Sequence, residues 1–147
     1  MNSEEYLKQR LEDQIEWYDK KSQWNKKRFI WLSTLVLIFA STIPLLSGIS
    51  NLDGIYWRLS IGLLGALIAV FTGVLSIFKF YENWIAYRTT SETLKYEKYL
   101  YLTKTSPYDV DNSFSVFVSH VENILSKENK NWAQYIKTIP EKLQGNV

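Results

Sequence analysis

FIWLSTLVLIFASTIPLLSGI at residues 29–49 and RLSIGLLGALIAVFTGVLSIF at residues 58–78 decide how this chain is read. No Asp, Glu, Lys or Arg occurs from 29 to 51, and none from 59 to 78, although both flanks are densely charged. At about 1.5 Å per helical residue, either block crosses a hydrocarbon core of about 30 Å. The averages over all 147 residues conceal this: 22% of residues are charged and the net charge is +2, with a mean hydropathy of −0.17. The charge is segregated rather than sparse, and the length leaves room for one domain.

Working outward, Gly48, Asn51, Asp53 and Gly54 mark a short turn between the blocks, so the two spans are expected to be antiparallel neighbours. Pro44 falls near the far end of the first block, where loosening a helix costs less than at mid-span. Upstream, residues 3–28 lack Gly and Pro, Ser3 with Glu4 and Glu5 reads as a helix start, and Leu7, Leu11, Ile15 and Tyr18 share one helix face. Downstream, no breaker interrupts residues 74–105, so the second helix is expected to leave the membrane at Lys79 and continue into water until Pro107. Phe114, Phe117, Val118, Val121, Ile124 and Leu125 then trace an amphipathic third helix over 112–128, with capping choices at Asp109, Asp111, Asn112 and Ser113. One further docked turn is expected around Trp132, Tyr135 and Ile136, and disorder over residues 140–147.

The expected fold is therefore all-α: a two-transmembrane antiparallel hairpin (spans 29–49 and 58–78) with long cytoplasmic helices over 3–28 and 79–104 and a third amphipathic helix. All of it lies in one domain over residues 1–139. The first block begins after a long polar segment and lacks a cleavage site, so it is expected to stay in the mature protein. Five bases and no acids stand between 20 and 28 (Lys20, Lys21, Lys26, Lys27, Arg28), and Lys79 follows the second span, whereas the connecting turn carries only Asp53 against Arg58. Basic flanks stay inside, which places both termini in the cytoplasm and the chain in the inner membrane. Trp24, Trp31, Tyr56, Trp57, Tyr81 and Trp84 fall where headgroups meet water.

Enzyme chemistry has no footing in these residues. There is no cysteine, no Gly-rich phosphate loop and no HExxH or GxSxG motif, and the single histidine, His120, reads as a packing residue. No catalytic residue, metal site, cofactor or nucleic-acid partner is expected. The clearest pattern is a stripe of small residues on the second span, Gly62, Gly65, Ala69, Thr72, Gly73 and Ser76, opposite Leu63, Leu64, Leu67, Val70, Phe71 and Leu75. Such stripes let helices approach closely. They serve packing within the hairpin or between subunits, or line a pore through which ions permeate. Two spans cannot enclose water alone, so a pore requires a homo-oligomer. Asp53 would then repeat as an external acidic ring favouring cations, while the basic cluster is available to anionic headgroups of the lipid bilayer.

LEDQIEWYDKKSQWNKKRF at 11–29, ENWIAYRTTSETLKYEKYLYL at 82–102, TSPY at 105–108 and KENKNWAQ at 127–134 together resemble the SLATT superfamily of bacterial two-transmembrane proteins. The closer likeness is to its stand-alone branch, long catalogued as a domain of unknown function. The resemblance implies a pore-forming effector that permeabilises the inner membrane when a signalling partner senses a nucleotide messenger, although this chain has no fused sensor. The alternative function is a non-conducting membrane scaffold whose cytoplasmic helices recruit a partner.

Overall fold

The computed structural model describes residues 2–48 and 54–144, and those residues are all-α, with no strand among them. The order is α1 (Ser3–Tyr6), a π-helical segment (Leu7–Leu11), α2 (Glu12–Ser47), α3 (Ile55–Phe78), α4 (Phe80–Leu102) and α5 (Ser113–Gln144). The first three are continuous over Ser3–Ser47, while α3 and α4 run on as Ile55–Leu102. By compactness the chain divides into two units, residues 1–22 with 85–147 and residues 23–84.

The first unit has a true core. Asn2 caps α1, its side chain accepting from the Glu4 amide while Glu5 reaches back to the Asn2 amide, a reciprocal pair that satisfies two helix-end donors. Leu11, Phe117, Val121 and Leu94 are wholly buried, joined by Tyr6, Tyr18, Tyr108 and Leu125. Leu7, which sequence spacing put on the inward face, is half-buried against this core, and Tyr6 beside it is buried as well. The π segment is the reason: its wider turn lets residues five apart share a face, so Tyr6 and Leu11 point inward together. From Leu11 onward, Ile15, Tyr18 and Ser22 keep alternating four- and three-residue steps into the core.

α4 ends before Pro107 is reached. Lys104 adopts a left-handed conformation (φ 51°), with Thr105 N donating to Leu100 O and Lys104 N to Tyr101 O. This is a Schellman closure, which satisfies the last carbonyls of a helix. Tyr108 then folds back until only 1% of it is exposed, its ring edge-on to Tyr101 and Phe117 at 5.9 and 5.7 Å. α5 begins at Ser113 and continues through Pro140 to Gln144, beyond the end at 128 expected from the pattern, and residues 140–144 are helical rather than disordered. Trp132 and Ile136 fall seven and eleven positions after Leu125, which keeps the helical period of the third helix in the sequence; the side chains of the docked turn expected at Trp132, Tyr135 and Ile136 lie outside the described residues.

In the second unit the apolar seams are regular. On α2, Phe29, Leu32, Val36, Phe39, Ile43 and Leu46 are half-buried; on α3, Trp57, Ile61, Leu64, Ile68, Phe71 and Leu75 are. Both sets alternate steps of three and four, the spacing of interlocking helix ridges. Phe39 stacks on Phe71 with centroids 6.0 Å apart, and Phe29 meets Tyr81 at 5.3 Å. Away from these seams Trp31, Leu37, Leu45, Tyr56, Leu59 and Leu63 stand exposed, and α3 has no buried residue. Two helices pass the length and apolarity required of a membrane span, and no residue of either apolar window is buried.

The expectation of an uninterrupted second helix is corrected at Lys79, which takes a left-handed conformation (φ 46°) between α3 and α4. Neither Gly nor Pro signals it. The turn is held locally: Lys79 N donates to Leu75 O, Asn83 N to Lys79 O, and the Asn83 side-chain amide to Phe78 O at 3.1 Å. A side chain thus satisfies a carbonyl that the break would leave unpaired.

Candidate functional site

α3 carries the small-residue stripe, and its placement follows from the seam. Large residues at 61, 64, 68, 71 and 75 turn toward α2, so the residues between them turn away. Gly62, Gly65, Ala69, Thr72 and Ser76 are exposed and Gly73 is half-buried. A methyl group added at Gly62, Gly65 or Gly73 would meet no atom within 4 Å. The stripe is therefore not what packs α3 on α2. Of the residues expected opposite it, Leu64, Leu67, Phe71 and Leu75 are half-buried, but Leu63 and Val70 are exposed.

Hydroxyl groups divide in the same way. In the apolar stretches Ser41 and Thr42 donate to Ile38 O (2.9 and 2.7 Å), Ser47 to Ile43 O (2.8 Å) and Ser60 to Tyr56 O (2.8 Å). These back-bonds let a hydroxyl face lipid at little cost. Thr72 and Ser76 make no hydrogen bond among the described residues, and the same holds for Ser33 and Thr34. Asp53, expected as an external acidic ring, lies outside the described residues.

The basic cluster is divided between the two units. In the first unit, Lys20 pairs with Glu16 at 2.6 Å and Lys21 lies over the Trp17 ring at 5.6 Å. In the second, Lys26 lies 5.3 Å from the Trp84 ring centre and Arg28 5.2 Å from that of Trp24, while Lys27 is exposed. Lys79 is the half-buried residue of the helix break. Cations over aromatic faces are held by the ring quadrupole while leaving most of their hydration intact.

The strongest polar contacts were only partly legible. Lys95 to Asp19 (2.8 Å) and Lys98 to Glu12 (2.7 Å) join α4 to α2, opposite charges on the two helices that flank the apolar blocks. Sequence reading missed the fork in which Arg10 Nε and Nη2 donate to Glu122 Oε1 and Oε2, both at 3.1 Å, with Tyr6 Oη donating to the same carboxylate at 3.0 Å. These partners lie 112 and 116 positions apart, beyond any spacing rule. The bond from Arg10 holds the Glu122 carboxyl below its usual range. Burial pushes the Asp19 carboxyl up, but bonds from Lys95 and Ser91 outweigh it and leave it lowered. Glu128 goes the other way: half-buried, it is raised by burial, which the neighbouring Thr90 offsets only in part. Burial, followed by the nearby Glu128 charge, pushes Tyr18 up to about 12. Tyr108 bonds to Glu97 and lies 3.0 Å from His120 Nδ1, which makes the single histidine part of the α4–α5 corner. Among the described residues no group of three or more His, Asp or Glu is placed to hold a metal ion.

Residues 13–115 match the model of a family described as a protein of unknown function (DUF4231). No curated protein and no solved structure matches the chain.

Proposed function

The chain belongs to DUF4231, a family of unknown function, and from that premise we propose that its apolar helices cross the inner membrane as an antiparallel hairpin and that several copies surround a pore. One observation carries this reading: α3 leaves Gly62, Gly65, Ala69, Thr72 and Ser76 exposed, and Thr72 and Ser76 make no hydrogen bond among the described residues. A face built for close approach needs another helix, and a methyl group added at Gly62 or Gly65 meets none among the described residues. Cyclic repetition brings Gly62, Gly65 and Ala69 of one copy against its neighbour and gives Thr72 and Ser76 a water-lined axis. The basic residues beside both spans favour cytoplasmic termini. The likeness to the SLATT superfamily supports an effector that permeabilises the membrane on a partner's signal. Purified protein in planar bilayers is expected to give discrete single-channel currents, diminished by Thr72→Leu with Ser76→Leu. Silence across voltages removes the pore.

A second reading, the non-conducting scaffold, is favoured by one surface. Tyr96, Tyr99 and Leu102 stand exposed at three-residue steps along α4, an apolar stripe to which a soluble partner could dock. Absence of current, together with loss of a co-purifying protein in Tyr99→Glu, is the result that separates it from the pore.

A further inference from the structure

From Leu11 through α2 to Leu46, buried or half-buried residues follow one another in unbroken alternating steps of four and three. The helices that pack on α2 do not keep step. On α3 the row of large residues ends at Phe71 and Leu75, whereas α4 turns Phe80, Asn83, Tyr87, Thr90 and Leu94 inward. Both rows meet α2: in the second unit Phe71 stacks on Phe39 and Phe80 meets Trp24 at 5.9 Å, and in the first Tyr87 meets Tyr18 at 6.0 Å. Carried forward along a straight helix, the α3 row would reach Phe78, Glu82, Ile85, Thr89 and Glu92, and all five are exposed. Carried backward in the same steps, the α4 row reaches Ser76, Gly73, Ala69, Ala66 and Gly62, which is the small-residue face. The two rows on α3 lie five positions apart, about 140° around the helix. The left-handed Lys79 (φ 46°) is where one phase is exchanged for the other.

We propose that Lys79 is a two-state hinge: when it turns right-handed, α3 and α4 become one helix, and α3 revolves until its small residues face α2 and its large row faces outward. Sequence permits the second state, because no Gly or Pro stands between residues 74 and 105. Hydrogen bonding permits it too. Closing the break trades the Asn83 side-chain bond to Phe78 O for the backbone bond that an unbroken helix makes there, and it relieves a conformation that costs any residue but glycine. Glycine and alanine against the large row of α2 let the two helices approach closely. The displaced row, Trp57, Ile61, Leu64, Ile68, Phe71 and Leu75, is apolar throughout, so lipid receives it without penalty where water would not. The inference rests on the membrane reading above and adds its regulation: the continuous helix hides on α2 the face through which copies meet, and the broken helix presents it.

The chain has no cysteine, so thiol pairs can be introduced without background. Phe39→Cys with Phe71→Cys reports the broken helix, and Phe39→Cys with Ala69→Cys reports the continuous one. Each is read in membranes containing the full chain as a bridge made within one copy by a short bifunctional thiol reagent. Lys79→Gly, which takes the left-handed conformation without strain, is expected to lower the 39–69 bridge at least fivefold relative to the 39–71 bridge. Lys79→Ile, whose branched side chain resists that conformation, is expected to raise it, and multimeric bands from amine cross-linking are expected to move the opposite way in both variants. A 39–69 bridge that is absent or unchanged in both Lys79 variants, while the 39–71 bridge forms, overturns the hinge and leaves the hairpin standing. Loss of both bridges in the otherwise unaltered chain fails the hairpin and the hinge together. Bridges that respond while the multimeric bands do not overturn the coupling of the hinge to assembly.

Discussion

Side chains that vanish from solvent in the first unit set the steepest predictions. Phe117 is 0% exposed and stacks on Tyr101 with centroids 4.4 Å apart. Phe117→Ala should cost about 3–5 kcal/mol through lost burial and the cavity left behind, read as a fall in the thermal midpoint in detergent micelles. The carboxylates predict how that midpoint moves with acidity. Glu122 and Asp19 titrate lower in the folded chain than in the unfolded one. Their contribution is present above about pH 4 and is lost as pH falls through the folded values. Glu128 is shifted upward, so its contribution is full below about pH 4 and lost as pH rises through its folded value. Glu128→Gln should therefore raise the midpoint at pH 7 and leave it nearly unchanged at pH 4. An equal change at both would show that the carboxyl is not strained by burial. Phe117, Val121 and Leu125 were legible from their three-to-four spacing, because helix geometry alone sets which neighbours share a face. Glu122, Arg10 and Tyr108 were not, because their roles depend on which distant element arrives beside them.

At the scale of elements, the two departures from uniform helix have different origins. The Leu7–Leu11 π segment follows from where Tyr6 must point, and it is invisible in the sequence because Leu7 fits an ordinary α spacing just as well. Deleting exposed Gln9 would leave Tyr6 and Leu11 four apart, a step that an α-helix accommodates on one face. We expect the deletion variant to melt no lower than the wild type and to keep the Tyr6 contact with Glu122; a drop of several degrees would mean that the wide turn itself stabilises the fold. The left-handed Lys79 has no Gly or Pro to announce it, and its evidence lies in Asn83. Asn83→Ala removes the bond to the Phe78 carbonyl and should cost about 0.5–1.5 kcal/mol, the net worth of one hydrogen bond. The apolar stretches themselves were plain at first sight, because each is a long block without Asp, Glu, Lys or Arg, and both pass the length and apolarity required of a membrane span.

For the molecule as a whole, the question is what covers the outward face of α3. Gly65→Leu adds bulk where the chain itself has no neighbour within 4 Å. It should therefore leave helix content and the Phe39–Phe71 seam intact while breaking self-association. Chemical cross-linking in membranes would read this as loss of the multimeric bands with the monomer retained. Unaltered bands, or no multimeric bands in the wild type, would count against the proposed assembly through this face. The direction of the stripe was decided by the large residues rather than by the small ones: the sequence placed both sets on α3, but only the packed seam fixed which of them α2 takes.

The first unit is assembled from two pieces of chain, residues 2–22 and 85–144, with everything in the second unit encoded between them. Tyr6 and Arg10 leave the ribosome early and must wait for Glu122, their partner more than a hundred residues later. The first unit therefore cannot close before both apolar helices have been synthesised, and closing so long a loop adds an entropic cost that local helix formation does not carry. During that delay the amphipathic face of the N-terminal helix is bare. Biogenesis thus has a built-in order, in which a later segment finishes a structure that an earlier one began.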